Sequence, residues 1–386
     1  FGQDSSFAGI KTAQGNQDSG GVGDFYYTPP SGFKALCTKN LPDVAVVPSE
    51  YFNSSIWTAD GSSRTYALGS FAPDLVWYKS RSDAESHRLL DTVRGDGSTY
   101  WETLYSNTTG AETEDNNVTN ISASGITVVA AGNSPSISNR TYVAWNWKAN
   151  GSGSSNNAGD NNAIVSANTD AKFSIVSYTG SGGEPKTVAH GLGVSPEMVI
   201  IKKRNNTANW VVWHKDLTAK YAFEGLNTNG AAVNGGSPIS KYVDAVSSTL
   251  VTLGNAGENN ASGDTYIMYC WASVDGYSKV GSYTGNGSTD GTFVYTGFRP
   301  KWVLVKTTAI TESWYVWDTS RNTFNLMDKH LNPDSSNTES TNTDRSIDAL
   351  SNGFKLKGTN TATNGNGDTY IYLAFAESPF KYSNAR

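Results

Sequence analysis

Apolar residues along this chain gather in short runs, separated by stretches rich in Gly, Asn, Ser and Thr. No run keeps up a 3.6-residue period, so helices are expected to be few and short. Three runs are led by a proline: Phe71-Ala-Pro73-Asp-Leu-Val-Trp-Tyr-Lys79, Val194-Ser-Pro196-Glu-Met-Val-Ile-Ile-Lys202 and Phe298-Arg-Pro300-Lys-Trp-Val-Leu-Val-Lys306. Each predicts a strand, because proline is tolerated at a strand's first residue, where no ladder donor is lost. Three more runs are led by Thr-Tyr: Thr141-Tyr-Val-Ala-Trp-Asn-Trp147, Thr265-Tyr-Ile-Met-Tyr-Cys-Trp271 and Thr369-Tyr-Ile-Tyr-Leu-Ala-Phe375. Successive strand residues point to opposite faces, and here both faces are apolar, which predicts central strands covered on both sides.

The spacing turns these runs into a repeat. Pro73 to Tyr142 is 69 residues, Pro196 to Tyr266 is 70, and Pro300 to Tyr370 is 70. Fourteen residues after the prolines stand His87, Trp210 and Trp314; eighteen after stand Asp91, His214 and Asp318. Trp57-Thr58, Tyr178-Thr-Gly180 and Tyr283-Thr-Gly285 precede the prolines. The expected fold class is all-β, with three tandem antiparallel β-sandwich modules of about 100 residues. They cover 51–150, 171–278 and 279–386. Residues 151–170, entered through Asn150-Gly-Ser-Gly-Ser-Ser-Asn-Asn-Ala-Gly159, are expected to be a flexible linker. Between the second and third modules Asp275-Gly-Tyr277 leaves almost no linker, so these two should be rigidly apposed.

Composition narrows the function classes. Aromatic residues reach 12% and charged residues only 17%, which suits strands and turns and argues against long disorder. Net charge is −6 and the largest basic cluster is Lys202-Lys203-Arg204, so nucleic-acid binding is disfavoured. No apolar run approaches the roughly 18 residues of a membrane helix, so no membrane insertion is expected. Cys37 and Cys270 are too few and too far apart for a disulfide framework or a thiolate zinc site. The four histidines show no ligand-pair spacing, and carboxylates such as Glu112, Glu114 and Asp115 form no acid–base motif, so no catalytic residue is assigned. Oxygen-rich loops at 255–264 and 364–368 could hold Ca²⁺ but lack EF-hand spacing, and their recurrence before the Tyr-led strand suggests turns. No cofactor is expected otherwise.

The candidates for a binding surface are Trp210, His214, Trp314, Asp318 and Arg321, with core packing the competing role for the recurring tryptophans. Lys79 with Asp91 and Lys306 with Asp318 are expected to form a charge cluster at the sheet rim, joined by Arg94 and Arg321. The second module has His214 and Leu217 there instead, so Lys202 should lack that partner.

Residues 25–42, Phe-Tyr-Tyr-Thr-Pro-Pro-Ser-Gly-Phe-Lys-Ala-Leu-Cys-Thr-Lys-Asn-Leu-Pro, resemble the stretch that follows a concanavalin A-like or SPRY-like domain in tail-fibre-type proteins of marine tailed bacteriophages. Residues 276–288 and 374–386 are similar to recurring sequences of the same proteins, and 1–24 resemble the end of the lectin-like domain, over a connecting arm to 50. An upstream portion is expected to precede Phe1. The resemblance implies a non-catalytic virion protein, a tail fibre or receptor-binding component that attaches to a host-surface glycan or protein. Its implied partners are other virion proteins, with a homotrimer by analogy to fibre symmetry. A purely architectural capsid or tail decoration and a polysaccharide depolymerase are the alternatives.

Overall fold

A computed structural model describes residues 4–35, 37, 40, 46–95, 99–115, 117–130, 135–183, 185–218, 221–235 and 242–377. The chain forms two compact units, Phe1–Ala45 and Val46–Arg386. In the first, Asn16 and Phe25 make an isolated antiparallel bridge. The Asp18 carboxylate gathers its loop by accepting from the Ala35 amide at 2.7 Å and from Asn40 Nδ2 at 2.6 Å. Residues 1–3 and 378–386, which carried part of the resemblance, lie outside the described residues.

The second unit repeats one four-stranded antiparallel arrangement three times. An opening strand (Phe52–Thr58, Phe173–Thr179, Ser278–Thr284) pairs with the Tyr-led strand (Thr141–Trp147, Thr265–Trp271, Thr369–Ala376). That strand pairs with the Pro-led strand (Leu75–Ser80, Met198–Lys203, Pro300–Thr307), which pairs with an answering strand (Arg88–Asp91, Val211–His214, Tyr315–Asp318). Register is shared: Leu75 faces Trp147, Met198 faces Trp271 and Trp302 faces Phe375. The three prolines therefore occupy one position and the three tyrosines another, as the spacing predicted. Trp57–Tyr142, Tyr178–Tyr266 and Tyr283–Tyr370 stack at equivalent places, with ring centroids 5.3, 5.1 and 4.9 Å apart. A Cβ on Gly180 would strike the Ala261 carbonyl, and one on Gly285 the Gly365 carbonyl, which explains the glycine after each Tyr-Thr.

One face of each sheet carries a three-stranded sheet: Arg64–Tyr66, Gly125–Val128 and Val118–Ser122; Lys186–Ala189, Leu250–Leu253 and Val243–Val246; Phe293–Tyr295, Gly353–Leu356 and Ile347–Leu350. Each such pair of sheets encloses its own core, which makes the module a β-sandwich. The opposite faces converge on a single fourth core shared by all three modules, holding Trp77, Trp145, Trp147, Tyr269, Trp271, Trp302 and Phe375 among others. Trp147 lies 6.3 Å from Trp271 and 5.7 Å from both Trp302 and Phe375, ring centroid to ring centroid.

The contacts between modules run in a cycle. The Glu112 amide donates to the Arg204 carbonyl, Ala232 to Thr308, and Glu339 to Arg81, at 2.7, 3.0 and 2.9 Å. First touches second, second touches third, and third returns to first at equivalent positions, so the unit is a closed ring about an approximate three-fold axis.

The three sandwich modules follow one another in tandem along the chain, and each large sheet has a second apolar face that the other modules cover. Two expectations are corrected. Residues 151–170 are not a flexible linker: Ser154–Asn156 and Ala163–Asn168 extend the second module's large sheet, Ala163 pairing with Tyr178. The charges at Lys79, Asp91, Lys306 and Asp318 do not cluster at a rim. Asp91 faces Leu75 and Asp318 faces Trp302, four residues along the strand from each lysine, because an antiparallel return carries the chain back past the lysine before the aspartate is reached.

Candidate functional site at the module interfaces

Every candidate binding residue lies inside the ring. Trp210, His214 and Asp318 are fully buried, and Trp314 and Arg321 nearly so. None of the five offers a surface to a partner; each holds two modules together. Trp210 Nε1 donates to the Tyr105 carbonyl of the first module at 3.0 Å, and Trp314 Nε1 to the Gly225 carbonyl of the second at 3.3 Å. The answering strand turns both indoles onto the inner face, where packing and one carbonyl satisfy them.

Asp318 accepts from Arg321 Nε at 2.5 Å and from Trp145 Nε1 of the first module at 3.0 Å. Asp91 repeats this with Arg94 Nε at 2.5 Å and the Tyr269 hydroxyl of the second module at 2.7 Å. The aspartates therefore pair with the arginines, one of the two partners expected, and in full burial instead of at the rim. Each arginine reaches on to a glutamate, Arg94 to Glu112 at 3.2 Å and Arg321 to Glu339 at 3.4 Å. The neighbouring module grips that glutamate with a second arginine. Arg204 Nη2 meets Glu112 at 2.8 Å, and Arg81 holds Glu339 through two bonds of 2.9 Å. Two of the three interfaces are thus clasped by an Arg–Glu–Arg bridge, a planar and bidentate arrangement that fixes geometry well.

The third interface, between modules two and three, lacks all three charged groups. Leu217 replaces the first arginine, Ala232 occupies the glutamate position and Thr308 the second arginine position. A cavity of about 320 Å³ stands there, lined by Leu217, Ala232 and Thr308 together with Asp216, Thr218, Tyr221, Ala309 and Thr369. His214 stands behind it in the place of the two aspartates. Its Nδ1 accepts from the Asp216 amide at 3.1 Å, and its Nε2 lies 3.4 Å from the Tyr372 carbonyl of the third module. Burial holds its pKa down at about 4; with Nδ1 accepting from the Asp216 amide, the neutral ring is the tautomer whose Nε2 donates toward the Tyr372 carbonyl.

The lysines six residues after each proline are fully buried as well. Lys202 Nζ donates to the carbonyls of Thr109 and Ala208 at 3.1 and 3.0 Å; Lys306 Nζ donates to those of Asn229 and Glu312 at 3.1 and 2.6 Å. Lys79 stays within its own module, on the carbonyls of Ser80 and Asp83. With carbonyls in place of carboxylates, burial dominates and lowers each pKa to about 8.

The loops considered for Ca²⁺ form helical turns, Gly257–Asn260 and Thr361–Asn364. Tyr266 and Tyr370 fasten them by accepting from the amides of Ala261 and Gly365 and donating to the carbonyls of Gly257 and Thr361. Among the described residues, no group of three or more His, Cys, Asp or Glu could hold a metal ion. Cys270 is a buried thiol, pushed up to about 12 by burial. In the first unit a cavity of about 410 Å³ is walled by Phe7, Phe25, Tyr26, Tyr27 and Phe33.

The residues that sequence reasoning missed are Arg81, Arg204 and Thr308, eight after each proline, and their partners Glu112, Glu339 and Ala232. The arginine at that offset was visible in two copies; its partner lies in another module and could not be paired by spacing. A family model described as a domain of unknown function, DUF7483, matches residues 47–379, nearly the whole of the second unit. No curated protein and no solved structure matches the chain.

Proposed function

The chain belongs to the DUF7483 family, and we propose that it is the non-catalytic attachment component of a bacteriophage tail fibre, binding a glycan or protein of the host surface. The observation that carries this reading is the closed ring of three modules about one shared core. A ring of this symmetry, formed within one chain, is suited to sit coaxially on a three-fold shaft, the symmetry the tail-fibre resemblance implies. The internal three-fold does within one chain what a homotrimer does with three. The inner acids are committed to Arg–Glu–Arg bridges and the buried lysines to carbonyls, which favours a rigid scaffold over an acid–base centre.

Labelled protein is expected to adsorb to cells in a panel of marine bacteria, saturably and with strain selectivity. Periodate treatment of the cells abolishes adsorption if the receptor is a glycan, and protease treatment abolishes it if the receptor is a protein. Adsorption to no strain, with the chain located on the capsid or the tail tube by immunogold labelling, would transfer the assignment to an architectural decoration. Release of reducing sugar from host envelope polysaccharide would transfer it to a depolymerase.

A further inference from the structure

We infer that the cavity between the second and third modules is a binding site for one neutral pyranose of a saccharide, an inference that rests on the attachment reading above. The cavity is where the pseudo-symmetry is broken. At two interfaces an Arg–Glu–Arg bridge fills this position; at the third Leu217, Ala232 and Thr308 leave it open. Three changes fall together on one spot, while the surrounding frame is kept. The Ala232 amide still reaches the Thr308 carbonyl at 3.0 Å, and Lys306 still holds the Asn229 carbonyl. The site is therefore an opening in an intact interface.

The lining selects the ligand. A carboxylate or phosphate ligand would need the arginines that this interface has lost. The Thr218, Tyr221 and Thr369 hydroxyls can each donate and accept, which matches the hydroxyls of a sugar. Asp216 is exposed at the mouth, and a carboxylate can accept from two adjacent sugar hydroxyls at once. Among the described residues, the side chains of Asp216, Thr218 and Tyr221 form no hydrogen bond within the chain. Leu217, Ala232 and the Tyr221 ring add apolar surface for the carbon skeleton. At about 320 Å³ the cavity is at the small end of ligand pockets, room for one ring and not for an oligosaccharide. Behind it, His214 is a positioning residue: its Nδ1 fixes the Asp216 amide, and with it the mouth of the site.

The test is saturation-transfer NMR on the full chain with glucose, galactose, mannose, rhamnose and N-acetylglucosamine as probes. At least one sugar is expected to receive saturation and to titrate at millimolar concentration. The triple variant L217R/A232E/T308R rebuilds the bridge of the other two interfaces, and it should fold and lose the signal. Asp216→Asn, at an exposed side chain, should weaken binding at least tenfold with an unchanged fold. Absence of saturation transfer from all five sugars, a signal that persists in the folded triple variant, or an unchanged affinity in Asp216→Asn would each overturn the site. Should the triple variant not fold, the Asp216→Asn titration decides alone. A chain that binds cells but no hexose overturns the site and leaves attachment standing; one that binds a hexose here but no cells does the reverse.

Discussion

Arg321 has its guanidinium enclosed on every side, and Asp318, Glu339 and the Val316 carbonyl are what make that tolerable. Removing one partner of a buried pair leaves an uncompensated charge, which costs more than the pair itself contributes. Asp318→Ala should therefore destabilise the chain by about 3–5 kcal/mol in urea unfolding, and Asp91→Ala similarly at its own interface. Protonation at the buried bases gives a second residue-scale prediction. Burial holds His87, His190, His214 and His330 below their ordinary 6.5, the last two at about 4. The unfolded chain takes up protons near pH 6.5 that the folded chain refuses, so the penalty from these histidines is absent above that pH and grows as pH drops toward 4. Lys79, Lys202 and Lys306 act the same way higher up. Between about 8 and 10.5 the unfolded chain binds more protons, so stability rises with pH across that window. Tyr178, Tyr269, Tyr277 and Tyr283, all raised by burial, reverse the rise above about pH 10. Thermal unfolding midpoints should climb from pH 7.5 to 9.5, and Lys202→Met should reduce that climb; a flat profile in the parent chain would show that the lysines carry no such load.

The Tyr-led strand shows at the scale of elements how two sets of neighbours divide one sequence. Tyr266, Met268 and Cys270 face their own module's outer core, and Ile267, Tyr269 and Trp271 face the shared one. Apolar residues on both faces announced a strand covered twice, and the proline and tyrosine offsets announced its register. What covers the second face was not legible, because the covering sheets belong to the other modules and leave no local periodicity. The same blindness explains the linker. Its glycines and asparagines read as flexible, yet Ala163–Asn168 pairs on both sides and Ser154–Asn156 closes the sheet as its edge strand, where backbone hydrogen bonds count for more than side chains. Trp147→Ala, which empties the centre where the three sheets meet, should cost about 3–5 kcal/mol. Tyr370→Phe removes a hydroxyl that both donates and accepts, and should cost about 1–3 kcal/mol by leaving the Gly365 amide and the Thr361 carbonyl without it. Both are read from denaturant midpoints at constant m.

For the molecule as a whole, one shared core makes the second unit a single cooperative body. Calorimetry should give one transition for residues 46–386, not three, and residues 151–278 produced alone should expose their inner face and not remain a folded monomer. Two separated transitions would mean that the modules are independent after all. The binding candidates stood at matched offsets of the repeat, where core packing was the competing role for the tryptophans, and those offsets mark the contacts that close the ring. One disagreement between the copies, Leu217 in place of arginine, was visible in the sequence, but the cavity beside it needed Ala232 and Thr308 from two other segments to be recognised.

That disagreement has a consequence for how such a molecule can change over time. In an assembly of identical subunits, every substitution is written into all the interfaces at once, so an opening at one is an opening at each. Here Leu217 and Ala232 belong to one copy and Thr308 to the next, joined in a single gene. Two seams can stay under selection for strength while the third is released to drift toward whatever surface the organism meets.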